Sequence, residues 1–534
     1  MRQFSSYGPI DTELHYYVPR TALIEHILTQ LKGNSPEKGG HYLTVWGPRQ
    51  TGKTWIMRET FLQLKQDHRF ETIVLNLQHL RTTREIDSLA QMLAQKLLAP
   101  LSINHLKIKK LGEFEHIFRT STLSKPLILI LDEFDALSEE AMSGLVEIFR
   151  DIYMSRQYQI DLPTAEKDYL LHGLALIGVR AVLGVENVTG SPFNVQRSVH
   201  IPNLTSAEVT ALFDQYQLES GQLITSEVVA RIWNEFLGQP GLTCWFGELL
   251  TETYNQNPEQ PITQEHFENV YAAALDLLPN NNILNIISKA KQPPYQSLVL
   301  ELFKTTDKIK FTYDDSLINF LYLNGVVDIE PVSWRENYVK FSCPFVQKRL
   351  FNYFARELFR DLGQLYAPFE DLSDTITEDS LNVLKLLQRY EHYLQTNRHW
   401  LLTEVPRRQS DLRVYEAVFH FNLYLYLTSF LRSYEGQVQP EFPTGNGQID
   451  LLIRYAGQLF GLEIKSFANQ REYRKALTQA SKYGQQLGLT EIWLVLFIEA
   501  VDEVNRQKFE VDYLDPSSGV TVHPLFMQTG SLLD

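Results

Sequence analysis

The stretch that decides the fold is VWGPRQTGKTW, residues 45–55. It contains a complete GxxxxGK[ST] pattern, placed between an apolar run and the helix-like WIMRETFLQLKQ. Its residues are Gly47, Pro48, Arg49, Gln50, Thr51, Gly52, Lys53 and Thr54. In such a loop, backbone N–H groups and a helix N-terminus point at phosphate oxygens, the lysine reaches the β- and γ-phosphates, and the hydroxyl binds Mg²⁺. The pattern predicts an ATP and Mg²⁺ site formed by these eight residues.

Outward from this loop, apolar runs of strand length alternate with helical patterns through residues 41–200. The runs are HYLTVW (41–46), TIVLNL (72–77), LILILD (127–132) and LALIGV (174–179). Strands that alternate with helices are typical of a parallel sheet with crossover helices. The sequence therefore predicts an α/β fold of the P-loop NTPase kind.

Two consecutive acids end the third of these runs, in LILILDEFD. A buried strand that ends in Asp132 and Glu133 delivers both carboxylates to the carboxyl edge of the sheet, where a P-loop also lies. Asp132 is expected to hold the Mg²⁺ ion, and Glu133 is expected to polarise the water that attacks the γ-phosphate. The pair distinguishes an ATPase from a protein that only binds nucleotide.

The rest of the chain suggests further domains, as a length of 534 residues leads one to expect. Helical periodicity fills residues 205–290, and a helix–helix–strand–strand–helix pattern follows. We predict an ATPase core at 1–204, a helical lid at 205–292, a winged-helix-like segment at 293–360, an acidic linker or hinge at 361–380, and an α/β restriction-endonuclease-like domain at 381–534.

Composition excludes several classes of protein. Hydrophobic residues make up 44% and charged residues 21%, which are globular values, and the net charge of -15 argues against a general affinity for nucleic acid. Two distant cysteines, Cys244 and Cys343, support neither a disulfide framework nor a zinc site. We see no signal peptide and no membrane span, and expect a cytoplasmic protein.

A second set of acids lies near the C-terminus, in GQIDLLIRYAGQLFGLEIKSF (447–467). Asp450 begins one strand-like run, and Glu463 and Lys465 share a face of the next, because side chains alternate along a strand. A hairpin would bring Asp450 to that face. Two carboxylates can hold Mg²⁺, or Mn²⁺, while a lysine neutralises phosphate charge, which is what phosphodiester hydrolysis requires.

The bare spacing of this second motif carries little weight. An Asp followed loosely by ExK occurs about once by chance in a chain of this length. Its context adds support, since Glu416 lies on an upstream helix and Lys475, Gln479 and Tyr483 line one face of a downstream helix. The rival interpretation is that Glu463 and Lys465 lie on an exposed strand edge.

The N-terminal part resembles AAA-like P-loop ATPases related to the STAND and archaeal ATPase groups, across about residues 8–360. The likeness rests on YYVPR (16–20), the P-loop, LILDEFD, GSPFNVQ (190–196) and LGQPGL (237–242). It implies that Arg20 and Pro240 approach the adenine. Arg180 is a candidate sensor and Arg197 a candidate arginine finger, although no residue pattern fixes either role.

The order Glu416, Asp450, Glu463-x-Lys465, Gln479-x-x-x-Tyr483 resembles the PD-(D/E)XK nuclease superfamily, in its RecB-like branch, across about residues 400–500. The resemblance implies that the three acids bind metal and that Lys465 is catalytic. It also implies that the Gln and Tyr support the site or the nucleic acid. Asp450 lacks the preceding Pro, a common departure.

These observations favour an ATPase that controls a metal-dependent nuclease. Arg471, Arg474 and Lys475, with a single acid between them, offer a local surface for nucleic acid, and we favour DNA over RNA. One alternative is a STAND-like signalling switch with a non-catalytic docking domain. Another is a helicase or translocase, which a single P-loop disfavours unless the ATPase part assembles as a homo-oligomer.

Overall fold

The computed structural model divides the chain into two compact units. The first is Met1–Ala272 with Tyr322–Gly325, and the second is Ala273–Leu321 with Val326–Asp534. The structure describes residues 1–8, 10–35, 37–178, 196–303, 308–333, 335–408, 413–442, 449–467 and 469–530. Among these residues, no helix has the length and apolar character needed to cross a bilayer.

The first unit is built on a parallel sheet with the strand order β2-β3-β4-β1-β5. Its strands are β1 (Tyr42–Trp46), β2 (Glu71–Asn76), β3 (Leu127–Asp132), β4 (Leu171–Gly178) and β5 (Gln196–His200). Its helices are α1 (Thr21–Lys32), α2 (Lys53–Lys65), α3 (Ile86–Leu98) and α4 (Glu139–Tyr158), with short 3-10 turns at Gln78–Leu80, Leu111–Phe118, Phe134–Ala136 and Thr164–Glu166.

Both faces of this sheet are buried, which explains why its central strands are apolar at every position. Alternate residues of β3 enter different cores: Leu129 and Leu131 pack on the side of α3 and α4, whereas Ile128 and Ile130 pack on the side of α1 and α2. The predicted α/β parallel sheet is confirmed. The end of β3 agrees with the predicted run, and β4 begins three residues earlier than predicted.

Helices follow the sheet over the residues predicted to form the lid. They are α5 (Ser206–Ser220), α6 (Ser226–Phe236), α7 (Pro240–Gly247), which continues as a π-helical stretch at Glu248–Tyr254, and α8 (Gln264–Asp276). A capping box of Thr205 and Glu208 begins α5. The π-helical stretch lengthens α7, the helix whose N-terminus faces the P-loop.

The second unit opens with α9 (Asn281–Ala290), which lies at the end of the predicted lid, and continues with the helices and the two-stranded antiparallel hairpin of the region predicted to be winged-helix-like. The elements of that region are α10 (Tyr295–Leu302), α11 (Ser316–Leu323), β6 (Val327–Ser333), β7 (Glu336–Phe341) and α12 (Pro344–Leu358). Asp315 accepts hydrogen bonds from the N–H groups of Leu317 and Ile318, so this acid is used to begin α11. The winged-helix assignment itself stays a prediction.

The C-terminal part of the second unit is a mixed sheet with the order β12-β13-β11-β10-β9-β8. The strands are β8 (Gln437–Glu441), β9 (Ile449–Tyr455), β10 (Gln458–Ser466), β11 (Glu491–Ile498), β12 (Tyr513–Leu514) and β13 (Thr521–Gln528). The helices are α13 (Val383–Leu401), α14 (Glu416–Arg432), α15 (Gln470–Gln486) and α16 (Glu503–Phe509). Strands β8, β9 and β10 are antiparallel neighbours, and α15 crosses over to β11, which is parallel to β10.

The compact units differ from the predicted boundaries in two places. The isoleucine-rich face of α9 is buried within the second unit, although α9 was predicted to end the lid. Residues 361–380, predicted to be a linker or hinge, also lie within the second unit. Arg389 of α13 donates to Asp374 and Glu370, and the Tyr455 hydroxyl donates to the carbonyl of Thr377. These contacts tie the segment to the C-terminal domain, and its role as a linker or hinge stays a prediction.

Candidate functional site

The predicted P-loop connects β1 to α2, because β1 ends at Trp46 and α2 begins at Lys53. Gln50 and Gly52 adopt left-handed backbone angles, with φ of 58° and 88°. These two reversals fold the loop back on itself. Glycine adopts a positive φ without strain, whereas other residues rarely do. The loop therefore has the compact shape in which backbone N–H groups can surround a phosphate.

Lys53 folds back over this loop. Its Nζ atom donates to the carbonyl of Gly47 at 2.8 Å and to that of Pro48 at 2.7 Å. Burial lowers the pKa of Lys53 to about 8, and the carboxylates of Glu133 and Asp135 act in the opposite direction. The ammonium group is thus held in the loop by carbonyl oxygens, a position from which phosphate oxygens can compete for it.

Asp132 ends β3 next to the start of α2. The Thr54 hydroxyl donates to Asp132 Oδ2 at 3.1 Å, and the backbone N–H of Glu133 donates to Asp132 Oδ1 at 2.9 Å. Burial raises the pKa of the Asp132 carboxyl. The structure therefore brings together the two side chains that were predicted to hold Mg²⁺.

Glu133, the residue that follows β3, has a left-handed backbone conformation, with φ of 55°. For a residue other than Gly this conformation is uncommon and costs free energy. It turns the half-buried Glu133 side chain away from the line of the strand. Burial, and then the charges of Asp132 and Asp135, raise the pKa of the Glu133 carboxyl. A carboxylate with a raised pKa is a better base towards water.

The lid contacts the P-loop through the turn that begins α7. Gln239 caps this helix, and its Nε2 atom donates to the carbonyls of Arg49 and Gln50 at 3.0 and 3.4 Å. The N–H of Gly241 also donates to the carbonyl of Gln50, at 3.1 Å. Pro240, the first residue of α7, therefore lies beside the P-loop backbone. Its predicted contact with adenine stays a prediction.

The three arginines given roles by family resemblance have different outcomes. Arg20 donates to the carbonyls of Pro202 and Asn203 at 2.6 and 3.3 Å, so its guanidinium fixes the approach to α5, and its adenine contact stays a prediction. Arg197, on β5, donates to Gln30, and its role as an arginine finger is untested. Arg180 lies outside the described residues.

In the second unit, strand register brings the predicted acids together. The turn between β9 and β10 has positive φ at Ala456 and Gly457, as a two-residue hairpin turn requires. This turn places Asp450 directly opposite Glu463. On the other side of β9, Glu441 of β8 is also opposite Asp450. Three carboxylates thus form a row across three neighbouring strands, on one face of the sheet. We call these three residues the carboxylate row.

The two inner members of the carboxylate row are almost inaccessible to solvent. Asp450 and Glu463 are each 1% exposed. Neither Asp450 Oδ1 nor Glu463 Oε2 has a hydrogen-bond partner. Burial raises the pKa of both carboxyl groups, and the neighbouring Glu463 raises that of Asp450 further. Buried carboxylate oxygens without donors are costly, and a bound cation removes that cost.

Lys465 and α15 complete this site. Lys465 Nζ lies 3.0 Å from Glu463 Oε1 and donates to Gln479 Oε1, also at 3.0 Å. Tyr483 is buried nearby, and burial together with the carboxylates of the row raises its pKa. Lys475, predicted to share this helical face, is exposed and pairs with Glu472 instead. The rival interpretation of an exposed strand edge is wrong, because β10 pairs on both sides and Glu463 is buried.

The role of Glu416 as a metal ligand stays a prediction. This residue is the first of α14, and its Oε2 atom is buried without a partner. Within the described ranges, no group of three or more His, Cys, Asp or Glu side chains is arranged to hold a metal ion. Asp450 and Glu463 are therefore a two-carboxylate site as they stand.

Three residues that the structure places at these sites were not identified from the sequence. Gln239 lay in a recognised turn, and a polar residue before the helix-starting Pro240 was the available signal. Glu441 is separated from Asp450 by residues 442–449, and only the β8–β9 register reveals their proximity. Lys348, whose Nζ lies 3.0 Å from Glu441 Oε2, lies far away in the sequence and carried no signal.

Comparison with known proteins supports the N-terminal site. Residues 5–245 match the model of the AAA-like domain family. No curated protein matches the chain. Together with the P-loop and the strand-end acids, the family match shows that the N-terminal part contains an AAA-like P-loop ATPase domain.

The solved structures that match part of this chain are distant in sequence. The Walker-type ATPase of Pyrococcus abyssi is 15% identical, with 65% of this chain and 99% of that chain covered and a TM-score of 0.43. The Orc1 protein of Aeropyrum pernix, solved in complex with DNA, is 16% identical, with 63% and 93% covered and a TM-score of 0.34. A RuvB variant from Thermotoga maritima is 15% identical, with 60% and 91% covered and a TM-score of 0.33.

Proposed function

We propose that this protein hydrolyses ATP in its N-terminal domain and, under the control of that domain, cleaves phosphodiester bonds of DNA at a Mg²⁺-dependent site in its C-terminal domain. The observation that carries the second half of the proposal is the pair of buried carboxylates, Asp450 and Glu463, with unpartnered oxygens and an adjacent Lys465. A bound cation would explain why two carboxylates are buried together without hydrogen-bond donors.

In the ATPase domain, each residue has a distinct task. Lys53 is positioned to exchange its two carbonyl contacts for oxygens of the β- and γ-phosphates. Thr54 and Asp132 would hold Mg²⁺, which when bound neutralises charge on the phosphates. Glu133 orients the attacking water and accepts its proton. The hydrogen bond between Thr54 and Asp132 keeps the hydroxyl and the carboxylate together before nucleotide arrives.

The residues of the carboxylate row fit a hard cation. Mg²⁺ is commonly bound by one or two carboxylates together with substrate phosphates, rather than by a complete protein cage. Asp450 and Glu463 would be those ligands, and the bound ion would supply an activated water and stabilise the leaving oxygen. Lys465, held by Gln479, places a positive charge next to the metal ligands, where charge develops on the phosphate.

The surroundings of this site support a nuclease of the PD-(D/E)XK kind. The acids lie on an antiparallel hairpin of a mixed sheet, and α15 carries both Gln479 and Tyr483 back to the site. The N-terminal half of α15 also exposes Arg471, Arg474 and Lys475. A basic helix next to buried metal ligands suits a polyanionic substrate, although the whole chain is acidic.

Control by the ATPase is proposed from the contacts of the lid. Gln239 and Gly241 bond directly to the carbonyls of the P-loop, so a nucleotide that reshapes this loop changes what the lid contacts. A ligand shifts such a two-state element only through its different affinities for the two states. The nucleotide state is therefore the quantity that we expect cleavage to follow.

One observation favours a second candidate. The absence of a three-ligand metal group among the described residues would suit a STAND-like switch whose C-terminal domain only docks to nucleic acid or protein. Against this, Asp450 and Glu463 are kept buried and ionisable, at a cost that a docking domain has no reason to carry.

A cleavage assay on the full chain separates the two candidates. Plasmid, linear duplex, single-stranded DNA and RNA are incubated with the protein, with Mg²⁺ or Mn²⁺ and with or without ATP. We expect metal-dependent cleavage of DNA that is lost in Asp450→Asn and Lys465→Met. The matched controls, Asp379→Asn and Lys482→Met, change exposed residues of the same types and should cut normally. Cleavage that survives Asp450→Asn would exclude this site.

A further inference from the structure

A buried lysine lies at one end of the carboxylate row. Lys348, on α12, is only 2% exposed, and its Nζ atom lies 3.0 Å from Glu441 Oε2. A buried ammonium group is strongly unfavourable unless a charged partner compensates it. The ion pair with Glu441 supplies a compensating charge at this buried position.

The packing of α12 fixes this lysine at the end of β8. Phe351, one turn further along α12, packs against Phe442 with ring centroids 5.7 Å apart, and against Phe421 of α14 at 4.9 Å. Lys348 and Phe351 lie on the same face of the helix, and their partners Glu441 and Phe442 are neighbours in sequence. The contact is thus a rigid one, made by an apolar pair and an ion pair side by side.

The three carboxylates of the row lie between two lysines, one at each end. Lys348 pairs with Glu441 at one end, and Lys465 pairs with Glu463 at the other. Asp450 lies between the two glutamates and forms an ion pair with neither lysine. Each lysine pairs with one oxygen of an outer carboxylate, while Asp450 Oδ1 and Glu463 Oε2 are buried without a hydrogen-bond partner.

We propose that Lys348 is a positioning residue of the metal site: by holding Glu441, it keeps this third carboxylate from competing with Asp450 and Glu463 for the cation. This inference rests on the proposed metal site. It makes the site dependent on α12, which lies outside the region of nuclease resemblance. It also explains why three acids in register are not arranged as a three-ligand group.

The proposal predicts opposite effects for two single substitutions. Lys348→Met removes the positive charge that pairs with Glu441. The net charge of the site becomes more negative, so the site should bind Mn²⁺ about tenfold more tightly. Cleavage at saturating Mn²⁺ should nevertheless fall about tenfold, since the ion is drawn towards Glu441 and away from its working position. Glu441→Gln removes one negative charge from the row while the positive charge of Lys348 stays, and should weaken Mn²⁺ binding about tenfold.

The double variant and the conservative variant complete the test. Lys348→Met combined with Glu441→Gln removes both charges and should return the Mn²⁺ affinity to within about twofold of the starting protein. Lys348→Arg keeps the charge and should do the same. The control pair, Lys308→Met and Glu330→Gln, has the same residue types at 3.1 Å but lies at the surface, and should leave Mn²⁺ binding unchanged.

The measurement is a calorimetric titration of Mn²⁺ into the nucleotide-free full chain carrying Lys53→Ala, which removes metal bound with nucleotide. Shifts of opposite sign that cancel in the double variant support the proposal. Affinity shifts of the same sign in the two single variants, or no shift in either, overturn this proposal. They leave the proposed function intact as long as the starting protein binds Mn²⁺ through Asp450. If Lys348→Met does not fold, Glu441→Gln and Lys348→Arg decide alone: affinity weakened in the first and kept in the second supports positioning. Any other pattern refutes it. If Mn²⁺ binding does not depend on Asp450 at all, the proposed function fails and takes this inference with it.

Discussion

The two acidic sites differ in how their carboxylates are satisfied when no cation is bound. Asp132 accepts hydrogen bonds from the Thr54 hydroxyl and from the N–H of Glu133, and Glu133 is half-buried. Asp450 and Glu463 are 1% exposed and have oxygens without any donor. The Asp132 carboxylate therefore has hydrogen-bond donors before nucleotide arrives, whereas Asp450 and Glu463 would be stabilised by a cation or by protons.

The largest effect is expected at Glu133. Glu133→Gln keeps the shape of the side chain but removes the base, so ATP turnover should fall by about 10³-fold. ATP binding should persist, because Lys53 and the P-loop backbone are untouched. The control is Glu139→Gln, an exposed residue in the first turn of α4. Turnover equal to that of the wild type would remove Glu133 from the mechanism.

The next largest effect is expected at Lys53. Lys53→Ala removes the ammonium group that faces the phosphates, and should weaken ATP binding by about 10²-fold, as measured with a fluorescent ATP analogue. Lys65→Ala, at the exposed end of the same helix, is the matched control. Unchanged affinity in Lys53→Ala would mean that the loop does not bind the triphosphate in the expected way.

A smaller effect tests the difference between the sites directly. In the absence of nucleotide, Mn²⁺ at ten times its Kd should slow amide hydrogen exchange in β9 and β10 by about tenfold, because the cation satisfies the buried carboxylates. Exchange in β1 and β3 should not change. Asp450→Asn should abolish the effect. Equal protection of both sheets, or of neither, would contradict the contrast drawn between the two sites.

More of the nucleotide site than of the carboxylate row could be predicted from the sequence, because local patterns specify only residues that are close together in the chain. The P-loop residues Gly47 to Thr54 are consecutive, and so are Asp132 and Glu133, so local geometry alone fixes their arrangement. Asp450 and Glu463 could be paired only because their hairpin turn is short. Glu441 and Lys348 depend on the β8–β9 register and on the packing of α12, which no local pattern encodes.

The domain boundaries show the same limit. The parallel sheet followed from apolar runs of strand length, and β3 matched its predicted bounds. Residues 361–380 are predicted to be a linker or hinge because they are acidic and weakly periodic. Their order comes instead from contacts with Arg389 and Tyr455, which are distant in the sequence. Composition indicates where a chain lacks regular structure, but not whether another element holds it.

The central claim is that one chain couples ATP hydrolysis to cleavage at the carboxylate row, and one measurement tests it most directly. The cleavage rate of plasmid DNA is compared in Glu133→Gln loaded with ATP and in Lys53→Ala, which cannot be loaded, both with Mg²⁺. Each variant is also assayed with Asp450→Asn added. The account predicts cleavage that depends on Asp450 and differs between the two nucleotide states by about fivefold or more. Equal rates in the two variants would show that the domains are fused without coupling, and cleavage that is absent or independent of Asp450 would contradict the account as a whole.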